Sequence, residues 1–182
     1  TGNLHLGTAY ATLWNYLYAR KNQGTFILRL EDTDVARSKK EFEQNILDGL
    51  AWLGLKWDEG PYRDSERLDK YKQVAQKLLD EGKAYPCFCT PEELEKERQE
   101  QTKNKQPQVY SGKCRNLTAD EVEKLKSQGK PSVVRYKMPE GRGKIEWNES
   151  GHVTVSFEAS LIGDMVTQRS NGMPLYNFAV VV

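Results

Sequence analysis

The sequence predicts an α/β protein built on a doubly wound parallel sheet, and three observations carry that prediction. Helical spacing over residues 8–23 gives way to a strand-like alternation in "TFILRL" at 25–30, and then to a second helical pattern in "FEQNILDGLAWLG". This helix, strand, helix order implies a first strand upstream of Thr1. Beyond residue 84 the pattern changes to charged helix and short alternating segments, as an insertion would.

The elements follow in order. Ala9, Leu13, Tyr16 and Leu17 recur at helical spacing, and "NQG" ends the run. In the strand, Phe26, Leu28 and Leu30 share one face, so Ile27, Arg29 and Glu31 share the other. Ser38 and Glu41 stand in capping-box spacing before the second helix, which Gly54 closes. A third helix follows Ser65 and runs through "YKQVAQKLLDEG". Thr90, Pro91 and Glu93 open a helix charged almost all round, an exposed excursion over 90–106. Thr118 and Glu121 cap a smaller helix ending at Gly129. The segments "SVVRYKM", "KIEW" and "HVTVSF", joined by "PEGRG" and "NESG", read as antiparallel ribbon.

Composition narrows the function classes. No apolar run approaches the roughly 20 residues of a membrane helix. The 27 basic and 26 acidic residues nearly cancel, so any nucleic-acid contact must be local. Three cysteines, two of them flanking Phe88 in "YPCFCT", favour a reducing cytoplasmic compartment and metal binding over a disulfide scaffold. The start without methionine and the end inside "YNFAVVV" read as cut ends.

Two stretches carry candidate chemistry on the first half. Gly2, His5 and Gly7 enter a helix near Thr8, at the sheet edge where strands end and helix amino termini point outward. Glycine lets backbone approach phosphate, and a histidine can donate to developing negative charge. A tight turn with a capping threonine and a surface histidine explains the same residues. In "LEDTD", Glu31, Asp32 and Asp34 follow the strand, where a carboxylate can meet an ammonium group. A capping or ion-paired acid is the plainer reading, and Arg29 is the natural structural partner of Glu31.

In the middle of the chain, Cys87, Cys89, Tyr110 and Cys114 form a donor set suited to a structural zinc ion, the phenol being an unusual fourth ligand. Three reduced cysteines without metal are the alternative. An ion there would pin the ends of the charged excursion, whose own core is small. Lys103, Lys105, Lys113 and Arg115 would then offer charge to a phosphate backbone, although a solvated face explains them equally.

The stretches "TGNLHLGTA", "FILRLEDTD", "NILDGLAWLGLKWDEGPY" and "RSNGMPLYNFAVVV" resemble, in this order, segments of glutamyl-tRNA synthetases, and the likeness covers essentially the whole chain. The first looks like the tail of the nucleotide signature whose core is written HIGH. The resemblance implies a Rossmann-like, HUP-type nucleotidylyl-transferase sheet interrupted by an acceptor-stem-binding α+β insertion. Residues 1–84 would form the first half of the catalytic domain, 85–160 the zinc-binding-like insertion, and 161–182 the start of the second half.

The implied activity is that of a cytoplasmic, monomeric class I aminoacyl-tRNA synthetase. It uses ATP and Mg2+ to activate L-glutamate as an adenylate, releasing pyrophosphate, and transfers the acyl group to the acceptor end of tRNA(Glu). By resemblance Gly2, His5 and Gly7 bind ATP and His5, Gly7 and Thr8 are catalytic, with Thr8 standing where the motif has its second histidine. Glu31 and Tyr176 are implied as glutamate-binding, and Cys87, Cys89, Tyr110 and Cys114 as the zinc ligands. The family's side-chain-reading arginines are expected outside this chain. Its lysine-bearing KMSKS-like motif appears nowhere in the sequence, so the 182-residue polypeptide alone is expected to activate little glutamate. Two other readings remain open: a paralogue resembling glutamyl-queuosine tRNA synthetase, and a non-catalytic nucleotide- or tRNA-binding module.

Overall fold

The computed structural model describes residues 2–33, 38–141, 143–149 and 153–182. The chain divides into two compact units, 1–69 and 70–182. No helix among the described residues is long and apolar enough to cross a membrane.

The first unit contains α1 (Leu6–Lys21), β1 (Ile27–Leu30), α2 (Lys40–Trp52) and β2 (Glu59–Arg63), followed by a 3-10 turn, Asp64–Arg67. Strands β1 and β2 pair in parallel with α2 in the connection, which is the βαβ unit of an α/β fold. The expected alternation holds: Phe26, Leu28 and Leu30 are buried. Leu28 packs with Leu50 and Leu55, and Leu4, Tyr16, Ile46, Leu47 and Trp57 close around them. Phe26 meets Tyr16 edge-on at 5.6 Å. Asp58 ties this core together at its rim: its carboxylate accepts from the Phe26 N–H at 2.7 Å and from both terminal nitrogens of Arg20, at 2.7 and 3.0 Å.

Two details depart from the sequence reading. Helix α2 begins at Lys40 with Lys39 as its cap, and Ser38 makes no capping bond. Ser38 lies one residue too far out to reach the first-turn N–H groups, and its buried hydroxyl has no partner among the described residues. Strand β2, "EGPYR", was not anticipated, because glycine and proline argue against a strand. Gly60 is required there: its φ is +97°, and a Cβ would run into the backbone carbonyl of Leu28 on the paired strand.

Helix α3 (Leu68–Asp80) leads into the second unit, where Tyr71 and Ala75 are buried and Tyr71 lies against Phe178, 6.4 Å between ring centroids. Strands β3 (Ala84–Cys87), β4 (Val133–Tyr136) and β7 (Val166–Gln168) form an antiparallel sheet in that order. Helices α4 (Pro91–Lys103) and α5 (Ala119–Ser127) both carry the capping boxes expected at Thr90 and Thr118. Strands β5 (Lys144–Asn148) and β6 (Thr154–Glu158) make the expected antiparallel hairpin, its tip outside the described residues. "SVVRYKM" does not join that ribbon. Its strand β4 lies between β3 and β7 instead. β3 contains Pro86, which the sheet tolerates because β3 is bonded on one side only. The short helices α6 (Ala159–Ile162) and α7 (Tyr176–Ala179) complete the unit.

Candidate active-site cleft and metal centre

An open cleft of about 910 Å3 in the first unit is lined by residues from three places: the entry to α1 (Gly2, His5, Thr8), the end of β1 (Glu31, Asp32), and α2 with the turn after β2. The sequence-predicted loop and part of the acidic turn therefore share one cavity. Asp34 lies outside the described residues.

His5 is the cap of α1. The Thr8 N–H donates to its Nδ1 at 3.4 Å, and its Nε2 lies 3.1 Å from the Thr8 hydroxyl. With Nδ1 accepting, a neutral ring carries its proton on Nε2 and donates to Thr8. At Gly7 a Cβ would stand 3.2 Å from the His5 ring, which folds back over it, so any larger residue would have to nudge the imidazole. Gly2 is different, with no atom near a hypothetical Cβ. The cleft thus receives an exposed imidazole and the amino end of a sixteen-residue helix, whose first-turn N–H groups and dipole attract anions.

The loop is positioned from behind. The Leu4 N–H donates to Asn45 Oδ1 at 2.8 Å, and the Leu4 side chain lies so close over Gly49 that a Cβ there would collide with it. Asn45 and Gly49 are four residues apart and so share a face of α2. Nothing in the sequence pointed to them, because their partner is a loop residue rather than another periodic position.

On the other side, Glu31 leaves β1 40% exposed, with Arg29 Nη2 3.5 Å from its Oε1. Arg29 also reaches the buried Asp64, Nε to Oδ1 3.8 Å. Asp32 is occupied structurally: it accepts from the Ser65 N–H at 2.8 Å and the Ser65 hydroxyl at 2.6 Å. That contact fastens the end of β1 to the turn after β2, which frees Glu31 to be the acid that faces solvent. Arg63 and Glu43, paired through the Nε and Nη2 edge of the guanidinium, brace the rim. Tyr176 opens α7 in the second unit and is 61% exposed.

The second unit holds a separate cluster. The sulfurs of Cys87, Cys89 and Cys114 lie within 4.8 Å of one another, with Cys89 and Cys114 3.6 Å apart. The Tyr110 hydroxyl is 3.4 Å from both Cys87 and Cys89 and accepts from the Cys114 N–H at 3.0 Å. A tetrahedral zinc with Zn–S of about 2.3 Å and Zn–O of about 2.0 Å separates sulfurs by about 3.8 Å and sulfur from oxygen by about 3.5 Å. The Cys89–Cys114 separation and both Tyr110–sulfur distances fit that geometry. Burial pushes the Cys89 thiol up to about 12. Burial pushes Cys87 upward too, but hydrogen bonding to Tyr110, to the Cys89 backbone and to Arg135 together outweighs it and holds the thiol below its ordinary value.

A network around Asp164 surrounds this cluster. Its carboxylate accepts from Tyr85 at 2.6 Å, Arg115 at 2.5 Å and the Met138 N–H at 2.8 Å. Arg115 was expected to offer charge outward, but it is spent here. Lys113 pairs with Glu93 at 2.6 Å, linking the segment beyond the excursion to the start of α4.

Residues 1–182 match the family of class I tRNA synthetases (E and Q), catalytic domain. Glutamate–tRNA ligases of Carboxydothermus hydrogenoformans and Aquifex aeolicus are 52% and 54% identical over all of this chain, which covers 39% and 38% of their lengths. A crystal structure of a glutamate tRNA ligase from Elizabethkingia meningosepticum in complex with its amino acid superposes with a TM-score of 0.87 at 37% identity, over 100% of this chain and 39% of that one. The chain spans about two fifths of the length of these relatives, and it belongs to the class I tRNA synthetase (E and Q) catalytic-domain family.

Proposed function

We propose that the chain is the amino-terminal catalytic portion of a monomeric glutamate–tRNA ligase, which activates L-glutamate with ATP and transfers it to the acceptor end of tRNA(Glu). The observation that carries this is the shared cleft. A histidine on a helix amino terminus and a solvent-facing carboxylate line one cavity, so an anionic and a cationic group can be received together.

Gly2, His5 and Gly7 receive the phosphates of ATP, with Mg2+ offsetting their charge. His5 turns its Nε2–H from the Thr8 hydroxyl to the α-phosphate oxygens as negative charge builds there, while the Thr8 N–H keeps the imidazole in position through Nδ1. Glu31 meets the ammonium group of glutamate, exchanging Arg29 for the ligand, and the resemblance assigns Tyr176 to glutamate as well. Cys87, Cys89, Tyr110 and Cys114 hold a structural zinc ion. It supplies no chemistry to the reaction, because no general base adjoins it, and its effect is to fix the excursion over 90–106.

The test is ATP–pyrophosphate exchange by the full-length protein that carries this chain, with and without glutamate and tRNA. Exchange should require glutamate, and His5→Ala should lower its rate about 100-fold or more, the loss typical of one transition-state donor. Glu31→Gln should act mainly on the KM for glutamate. Exchange driven by a different amino acid would overturn the assignment.

A further inference from the structure

Strand β4 carries a buried arginine that neither sheet pairing nor the cleft explains. Arg135 is 6% exposed and lies opposite Tyr85 in the β3–β4 register, two residues from the pairing of Cys87 with Val133. Side chains opposite each other, and those two residues along, share a face of the sheet. Arg135, Tyr85 and Cys87 therefore point to the same side. The Arg135 guanidinium lies over the Tyr110 ring, 3.8 Å from its centroid, and one Nη donates to the Asp164 carbonyl at 2.8 Å. Its Nε–H is buried without a hydrogen-bond partner among the described residues. The Asp164 carboxylate is no counter-ion for it, being engaged by Arg115, Tyr85 and Met138.

A buried cation with one carbonyl, one ring face and one unmet donor calls for negative charge nearby. Neutral thiols and a neutral phenol supply none. Three thiolates around a divalent ion leave a net charge of −1, and the charge becomes −2 if Tyr110 binds as phenolate. We propose that Arg135 is a positioning residue of the zinc centre: its guanidinium fixes the Tyr110 ring by stacking and offsets the excess negative charge of the ligand set. The proposal rests on the zinc reading above. It accounts for the unmet Nε–H, which belongs to a side chain on the same sheet face as Cys87 and has no other acceptor among the described residues. It also accounts for arginine rather than lysine, since only a flat guanidinium both stacks and donates sideways.

The test is zinc affinity in the full-length protein, measured by chelator competition, with Co2+ substitution to read sulfur-to-metal charge-transfer bands. Wild type should bind one ion through thiolates. Arg135→Met should weaken zinc 10–100-fold, the usual loss for an outer-sphere partner, and should move half-uptake to higher pH because the thiols ionise less readily. Arg135→Lys should retain part of the affinity and most of the pH midpoint. If Arg135→Met folds only with metal, the zinc concentration for half-recovery on refolding reads the same 10–100-fold shift. Equal affinity and pH midpoint in wild type and Arg135→Met would overturn the proposal while leaving the zinc reading intact. A wild type without thiolate–metal bands would overturn the zinc reading, and this role with it.

Discussion

The opening loop and the cysteine cluster solve the same problem, converging polar groups on a point, in opposite ways. Around His5 the groups are exposed and lightly held, and the loop keeps its place through one hydrogen bond to Asn45 and the contact of Leu4 with Gly49. Around Cys87 they are buried and densely cross-linked, by Tyr110, Arg135 and the Asp164 network. An open site suits a ligand that arrives and leaves each turnover. A buried one suits an ion that stays, and its loss should be felt by the fold before it is felt by the chemistry.

The sharpest way to break this contrast is at the cluster. Cys114→Ser should abolish stoichiometric zinc binding and lower the unfolding temperature of the full-length protein by well over 10 °C, read by calorimetry, whereas His5→Ala should move it by only a few degrees. A His5→Ala protein as unstable as Cys114→Ser would erase the distinction.

Next in size is Asp164→Asn. It removes the buried carboxylate that Arg115 shares with Tyr85 and the Met138 N–H, leaving Arg115 only the exposed Glu140 as an anion, and should cost up to about 3 kcal/mol in urea unfolding. Gly60→Ala tests the first unit instead. Because the added Cβ meets backbone rather than a movable side chain, and the residue keeps a positive φ, it should cost about 2–3 kcal/mol and loosen β1 from β2.

The smallest effect is electrostatic. The Arg20 guanidinium, and then the Phe26 N–H, hold the Asp58 carboxyl below its ordinary range. Its native value is thus lower than its unfolded one. The stability it contributes is complete above about pH 4 and fades as pH falls through the native value. Asp58→Asn should therefore flatten the acid limb of stability against pH below pH 4, and leave the slope near neutrality unchanged.

The sequence was most informative where local rules govern. The two capping boxes at Thr90 and Thr118, the buried face of Phe26, Leu28 and Leu30, and the gathering of three cysteines around Tyr110 all follow from spacing or side-chain type. What escaped it depends on partners distant in the chain. β3 and β2 contain proline, and only their pairing at one edge, or a glycine fitted against a neighbour's carbonyl, makes them strands. Arg115 reads as surface charge until Asp164, far along the chain, is brought beside it. Asp32 and Glu31 are adjacent acids with different fates because only Asp32 finds Ser65.

The contact between Leu4 and Gly49 carries a last consequence, for the reading of natural variation. Residue 49 lies on α2 outside the loop, yet a side chain larger than hydrogen there must push Leu4 Cδ2 aside, and Leu4 is the residue directly before His5. A laboratory screen for lost charging activity should recover bulky changes at this helix position. Sorted by distance from the chemistry they would be dismissed as bystanders; sorted by what they move, they belong with His5.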